Sequence, residues 1–470
     1  MKALIGIDRA LLDKNLLGAA LGDIASWSQW LAVLRAAFGL KMSDEDRAIF
    51  SKVAGERAPP GQRVNELWCV AGRRSGKTRI AAAISTYIAA IAQHKLAPGE
   101  VGYVLLLAAS RSQASVAFAY VVGFLQSSPI LRQQIESTTA EEIRLKGNII
   151  IGVHAGSYRT IRGRTLLAVV GDETSFWRDV DSAQPDVEIF RACMPALAAS
   201  KGLWVGISTG YRKLGLLYQK WRDHFGHDGD DVLVVQGASS VFNPSLDPSM
   251  IARASASDPE AAESEWGGGF RTDISAFLDD ATIEAAVNYG RPIELPPQPH
   301  IFYKAFVDAS GGRHDHYTLG IGHKEGERIV IDVCRGVAPP FDPHEATEQY
   351  ANLAKEYRCL NVVGDNFAQE WVAGAWSRCG VRYVRSELPR SQIYLECLPL
   401  FARGLVTLPD HKRLLRELRL LERHTHRSGR DTVDHGKNGS DDYSNAVCGV
   451  LRDLSTHLSY LDALTRALAD

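Results

Sequence analysis

The eight residues Ala71-Gly72-Arg73-Arg74-Ser75-Gly76-Lys77-Thr78 constrain this chain more than any other feature. They follow the apolar run Leu67 to Ala71 and precede the helix-forming run Arg79 to Gln93. A turn closing in Gly-Lys-Thr between a strand and a helix has the spacing of a P-loop, with Ala71 where the commonest form has glycine. Gly76 lets backbone N–H groups approach a polyphosphate, Lys77 reaches the β- and γ-phosphates, and Thr78 supplies a magnesium ligand. The following helix presents the positive end of its dipole. Val101 to Ala109, Ile149 to Val153, Leu166 to Val170 and Leu203 to Ile207 are further short apolar runs, with Val232 to Gln236 as a last member. Continuous runs of this length are strands covered on both faces, so the first half predicts a parallel α/β sheet.

Two carboxylates end the run Leu167-Ala168-Val169-Val170-Gly171-Asp172-Glu173. At a strand tip, Asp172 can hold Mg²⁺ through water and Glu173 can orient and deprotonate a water attacking the γ-phosphate. The bland alternative is a strand ending in a polar turn, and the upstream P-loop weighs against it. Ser208 and Thr209, after another strand, can sense the γ-phosphate, or can simply satisfy loop backbone groups. Arg73 and Arg74 in the loop, with Arg159, Arg162 and Arg164 before the Asp-Glu strand, are candidates for stabilising transition-state charge, or are solvated surface groups.

A second rhythm begins after the proline-rich segment Arg291 to His300, which suits an extended linker. Tyr303 to Asp308, Thr318 to His323 and Arg328 to Val333 predict three strands, followed by a helix over His344 to Tyr357 and a strand over Asn361 to Gly364. Asp308 and Asp365 stand at strand ends, and Asp441 and Asp442 open a helix running from Tyr443 to Leu454. Carboxylates meeting at strand ends and a helix start are what two-metal phosphodiester cleavage requires. Singly, each is more often a cap or turn residue, and Asp442 would make a good N-cap. Asp315 is a further candidate ligand. His411 to Arg430 predicts a helix and its exit, with Arg413, Arg416, Arg419 and Arg423 as a stripe that either tracks a phosphate backbone or is a solvated face balanced by Glu417 and Glu422.

Composition adds exclusions. Lys+Arg 53 against Asp+Glu 55 leaves a formal charge of -2, so a nucleic-acid partner must be met by local basic surfaces. Seven scattered cysteines without a Cys-x-x-Cys pair argue against a disulfide framework or zinc cluster and for a reducing compartment. The apolar stretches are too short to cross a bilayer needing about 20 residues. Met1 to Leu17 carries Asp8, Arg9, Asp13 and Lys14 among its apolar residues, which breaks a signal-peptide core and predicts an amphipathic helix.

Taken in order, the P-loop, Ile161-Arg162-Gly163-Arg164-Thr165, Val170 to Glu173, Ser208-Thr209-Gly210, Val307 to Gly312, Gly364-Asp365, and Asp434-His435 through Asp441 to Ala446 resemble the large terminase subunit, the genome-packaging ATPase and nuclease of tailed bacteriophages. The resemblance implies an N-terminal P-loop motor of the additional-strand, catalytic-glutamate type over residues 1–240, a lid or linker over 241–299, and an RNase H-like nuclease over 300–470. It implies ATP bound by Gly72, Arg73, Arg74, Ser75, Gly76, Lys77 and Thr78, with Asp172 as the Walker B acid, Glu173 as the catalytic glutamate, Arg73 as the loop arginine and Ser208-Thr209 as the coupling motif. Gln29, in Trp27-Ser28-Gln29-Trp30, is a candidate adenine contact, against a plain packed helix. Asp308, Asp365, Asp441 and Asp442 become the acids for Mg²⁺ or Mn²⁺, the last two unresolved between themselves. Arg162 and Arg164 lead as an arginine finger acting across a subunit boundary. Expected partners are double-stranded DNA, a small terminase subunit, the portal of a procapsid and further copies in a ring, in the host bacterial cytoplasm with no membrane. A helicase or restriction-type translocase shares the P-loop, Asp-Glu and Ser-Thr elements, and an adaptor keeping the folds without the chemistry is a third reading.

Overall fold

Leu67, Trp68, Cys69 and Val70 are all withdrawn from solvent, so the strand before the P-loop has cover on both faces. In the computed structural model that cover comes from helices. The structure describes residues 2–155, 163–177, 185–271, 273–313, 315–365, 370–426, 430–436 and 439–469. The chain divides into two compact units, Met1–Thr272 and Asp273–Asp470.

The first unit is built on β1 (Glu66–Ala71), β2 (Gly102–Ala108), β3 (Ile135–Thr138), β4 (Glu142–Leu145), β5 (Ile149–Ala155), β6 (Thr165–Asp172), β7 (Leu203–Ser208) and β8 (Val232–Gly237). They lie in the order β8-β1-β7-β6-β2-β5-β4-β3. Pairing is parallel from β8 to β5, and β4 and β3 add an antiparallel hairpin. The strand β7 therefore sits between the P-loop strand and the strand ending in Asp172, which is the additional-strand arrangement. Leu67, Cys69 and Ala71 face a core shared with α1 (Ser28–Ala37), α2 (Asp44–Ala54), α3 (Lys77–Ala90) and α4 (Arg111–Ser127). Trp68 and Val70 face the opposite core, under α5 (Pro185–Ser200) and α6 (Leu216–His224). A short α7 (Ser239–Phe242) follows β8.

The second unit contains β9 (Ile274–Ala276), β10 (Tyr303–Asp308), β11 (Tyr317–Glu325), β12 (Arg328–Val337), β13 (Asn361–Gly364), β14 (Arg382–Arg385), β15 (Val406–Thr407), β16 (Leu421–Thr425) and β17 (Asp431–His435). Six form a mixed sheet in the order β14-β13-β10-β11-β12-β15, and β9, β16 and β17 form a separate one. Three antiparallel strands, β10 to β12, flanked by two parallel strands, β13 and β14, make an RNase H-like sheet. Tyr303, Ala305 and Val307 face the core beneath α9 (Pro343–Glu356) and α10 (Glu370–Arg378). Phe306 faces the other, under α8 (Asp280–Ala286), α11 (Arg390–Ala402), α12 (Lys412–Leu420) and α13 (Asp442–Ala469).

The boundary between the units falls inside the 241–299 stretch. Ile274 to Ala276 pair with β16 of the second unit, whereas the Trp266 carbonyl packs at the P-loop of the first. Two sequence expectations are corrected. The N-terminal helix spans only Ile7–Leu12, because the Asp13 carboxylate caps the Asn15 N–H in a turn. The helix expected from His411 stops at Leu420, because residues 421–425 pair with β9 on one side and β17 on the other.

Gly449 of α13 lies so close to β10 that an added Cβ would stand 2.2 Å from the Phe306 ring. Gly449→Ala is expected to cost about 1–3 kcal/mol through overpacking, read as a lower denaturant midpoint at unchanged slope.

Candidate functional site

The P-loop is held from behind by side chains that grip its carbonyls. Trp30 Nε1 donates to the Ser75 carbonyl at 2.7 Å, Ser239 Oγ to the Arg73 carbonyl at 2.7 Å, and Asn243 Nδ2 to the Arg74 carbonyl at 2.9 Å. The Gly72 and Arg73 N–H groups donate to the Gly237 and Glu265 carbonyls, so with three successive carbonyls turned outward it is the later N–H groups, from Arg74 onward, that the loop can offer to the concave side. Gly76 has φ 88°, a left-handed value that glycine adopts without strain. At Gly72 a Cβ would lie 2.2 Å from Ser239 Oγ and 2.5 Å from the Trp266 carbonyl, so no side chain fits.

Lys77 is 6% exposed, and its Nζ donates to the Ala71 and Gly72 carbonyls at 2.7 and 3.0 Å. Burial lowers its pKa, against which the carboxylates of Glu173 and Asp172 act. Thr78 Oγ1 donates to Asp172 Oδ2 at 3.0 Å. Asp172 Oδ1 and Ser75 Oγ are buried without a hydrogen-bond partner among the described residues. Orphaned oxygens beside a buried ammonium fit a group that brings both a cation and phosphate oxygens, as a magnesium-nucleotide does. Thr78, and Asp172 beside it, would hold the magnesium, and Lys77 with the loop amides would hold the phosphates.

Glu173 takes a left-handed backbone, φ 52°, that side chains adopt at a cost of about 1–3 kcal/mol. Its neighbours fix it there: Trp177 Nε1 donates to the Asp172 carbonyl at 2.8 Å, and the Phe176 N–H to the Glu173 carbonyl at 2.9 Å. Ser208 Oγ, at the tip of β7, donates to Glu173 Oε2 at 3.0 Å. Ser175 Oγ donates to the carbonyl of the buried Thr209. The Ser-Thr element is thus joined directly to the acid that the sequence singled out.

Other candidates are placed differently. Gln29 is buried and its amide donates to the Ile49 carbonyl at 3.0 Å, so it braces α1 against α2, while its neighbour Trp30 contacts the loop. Arg73 is exposed and paired with Glu265 at 3.0 Å, and Arg74 is exposed. Arg164 stacks on Tyr103 at 4.5 Å at the start of β6, eight residues of strand, or about 26 Å, from Asp172. It does not reach the phosphate site of its own chain. Arg159 and Arg162 lie outside the described residues.

In the second unit, parallel register aligns Val307 with Gly364, which sets Asp308 and Asp365 at the same ends of adjacent strands. Asp442 docks beside them: the His316 N–H donates to its Oδ2 at 3.2 Å and Thr318 Oγ1 to its carbonyl at 2.6 Å. Asn445, one turn along α13, donates to Asp308 Oδ2 at 2.9 Å. Burial pushes the Asp308 carboxyl well above its usual range, and the charges of Asp442, Asp441 and Asp365 push it further. Asp441 is held differently, with Arg390 Nη1 and Tyr394 OH each 3.0 Å from its carboxylate. Asp315 is exposed, its carbonyl closing a turn with Ser310.

Among the described residues no group of three or more His, Cys, Asp and Glu side chains is tight enough to enclose a metal ion. The donor set nevertheless suits one, since mutually repelling carboxylates at one sheet edge are relieved by a hard divalent cation. Asp308, Asp365 and Asp442 would hold it.

The arginine stripe is engaged inside the unit. Arg413 pairs with Glu417, Arg419 with Asp280 and Glu284, and Arg423, now on β16, with Asp431. Glu417 and Glu422 are buried, so they do not belong to a solvated face of this helix. Glu417, Asn445, Trp30, Ser239 and Asn243 are site residues that sequence reasoning missed. Only Asn445 carried a signal, three residues after Asp442 on a helix and so on the same face.

No family model and no curated protein matches this sequence. Among solved structures, the HK97 bacteriophage large terminase is similar at 17% identity over 82% of this chain and 91% of that one, with a TM-score of 0.38. A large terminase from a thermophilic bacteriophage aligns at 12% identity over 90% of this chain and 97% of that one, with a TM-score of 0.40. The large terminase nuclease from thermophilic phage G20c aligns at 18% identity over 36% of this chain and 95% of that one, with a TM-score of 0.32. Among the described residues, no helix is long and apolar enough to cross a membrane.

Burial, then the charge of Glu173, raises the Asp172 carboxyl to about 6. In the free protein this shift contributes stability that is complete below the usual carboxylate value and is lost as pH rises through about 6. Cation binding needs the ionised form, so magnesium-nucleotide affinity is expected to fall as pH drops through about 6, by roughly tenfold per unit below it. Calorimetric titration across pH 5 to 8 checks this.

Proposed function

We propose that this chain is the large subunit of a bacteriophage terminase, an ATP-driven motor that moves double-stranded DNA into a procapsid and cuts the DNA with divalent metal ions. The observation that carries the reading is a single chain holding both a P-loop sheet, with β7 between the Lys77 and Asp172 strands, and an RNase H-like sheet with carboxylates at its strand ends. The order of the sequence motifs supports the same reading.

In this reading Lys77 and the loop amides bind the phosphates of ATP, and Thr78 and Asp172 bind its Mg²⁺. Glu173 takes the proton of the attacking water. Ser208, already bonded to Glu173, passes the change at the γ-phosphate into β7. The second centre uses Asp308, Asp365 and Asp442 to hold Mg²⁺ or Mn²⁺, whose chemistry is to activate the attacking oxygen and stabilise the leaving one. A translocating motor must grip the phosphate backbone without reading bases, so DNA contacts are sequence-tolerant. The working partners are a small terminase subunit, the portal of the procapsid, and further copies of this chain in a ring, in the host cytoplasm.

Glu173→Ala is expected to lower DNA-stimulated ATP hydrolysis by about 10²- to 10⁴-fold and leave nucleotide binding in place. Asp308→Ala is expected to bring metal-dependent plasmid nicking to background while ATP hydrolysis persists. Parental nicking by Asp308→Ala would show that the carboxylate centre is not the nuclease.

A further inference from the structure

The helix that delivers Asp442 begins in an unusual way. Its first turn exposes N–H groups that need acceptors, and the residue before the helix normally supplies one from its own side chain. Here that residue is Asp441, whose carbonyl accepts the Asn445 N–H at 2.7 Å and so starts the helical ladder. Its carboxylate does not cap. It is turned away to Arg390 Nη1 and Tyr394 OH.

The cap comes from another helix. Glu417 of α12 places Oε2 2.8 Å from the Tyr443 N–H and 3.0 Å from the Ser444 N–H, the second and third residues of α13. Its other oxygen, Oε1, lies 3.0 Å from Ser440 Oγ and 3.3 Å from Arg413 Nε. Ser440 Oγ is in turn 3.0 Å from Asp442 Oδ2. Arg413 continues the frame to His316 Nε2 at 2.7 Å, and the His316 N–H reaches the same Asp442 oxygen. A carboxylate 1% exposed, satisfied on both oxygens and aimed at a helix N-terminus, is a built contact.

We propose that Glu417 is a positioning residue of the carboxylate centre: by capping α13 from α12 in place of Asp441, it fixes residues 442–444 and so holds the Asp442 carboxylate in place at the metal site. Asp441 then belongs to the supporting frame with Arg390 and Tyr394, and Asp442 is the acid that ligates. The inference rests on the nuclease reading above and assigns the two roles that adjacent aspartates leave ambiguous. Mutating groups that orient metal ligands in this way typically costs about 10- to 100-fold in metal affinity.

The test uses the full chain and Mn²⁺. Binding is followed by the loss of the free-ion EPR signal, and plasmid nicking is followed against Mn²⁺ concentration. Glu417→Ala is expected to raise both the Mn²⁺ dissociation constant and the half-saturating concentration by about 10- to 100-fold. Glu417→Gln, which keeps an acceptor for the two N–H groups, should recover most of that loss. Folded Glu417→Ala binding Mn²⁺ as the parent does would overturn the positioning role. If Glu417→Ala does not fold, the aspartates decide. Asp442→Asn is expected to lose Mn²⁺ binding and Asp441→Asn to stay within about threefold of the parent, and the reverse order would overturn the assignment. A parent chain that neither binds Mn²⁺ nor nicks DNA would overturn the nuclease reading and the inference with it.

Discussion

A lysine ammonium almost wholly removed from water is the constraint on which the first unit is organised. Such a charge is tolerated only where carbonyls and carboxylates surround it, and Lys77 has the Ala71 and Gly72 carbonyls within hydrogen-bond reach and Asp172 and Glu173 nearby. That requirement brings the ends of β1 and β6 together across β7. The loop is braced from behind as well: Trp30, Ser239 and Asn243 occupy the carbonyls of Ser75, Arg73 and Arg74, and the Gly72 and Arg73 N–H groups donate to the Gly237 and Glu265 carbonyls. Because β7 lies between those two strands, Ser208 at its tip hydrogen-bonds Glu173 directly.

The second unit answers the opposite electrostatic problem. Carboxylates are gathered where like charges repel, and burial pushes Asp308 up further. The surrounding structure holds them there by other means. Asn445 donates to Asp308, Arg390 neutralises Asp441, and Glu417 caps the helix that carries Asp442. Glu417 is itself raised to about 7, chiefly by burial, with the N–H groups of α13 pulling the other way. A sheet edge of this kind is predisposed toward a divalent cation, the electrostatic complement of the first unit's cationic cradle.

Much of this was legible in the sequence because it depends on short-range spacing. The P-loop, the strand ending in Asp172-Glu173 and the strands ending in Asp308 and Asp365 lie where apolar runs meet charged residues, and those runs are the strands observed. What was illegible depends on contacts across the fold. Glu417 reads as half of an i,i+4 pair with Arg413, and that pair exists, yet its main partners lie 26 and 27 residues onward. Gln29 and Trp30 sit side by side, and helical phase alone does not tell which faces the loop; the core took the amide and the loop took the indole. The partners of the arginine stripe were illegible for a related reason. Periodicity shows which residues share a face, but not whether Asp280, Glu284 and Asp431 have been folded against it.

In the proposed function one chain carries a nucleotide-driven site and a metal-dependent cutting site on separate units. The most direct test is to incubate the full chain with supercoiled plasmid, with and without Mn²⁺ and with and without ATP, and to record nicking and phosphate release from the same tube. Mn²⁺-dependent nicking together with DNA-stimulated phosphate release is the predicted result. Phosphate release without any nicking under Mn²⁺, or nicking by a chain that never hydrolyses ATP, would contradict it.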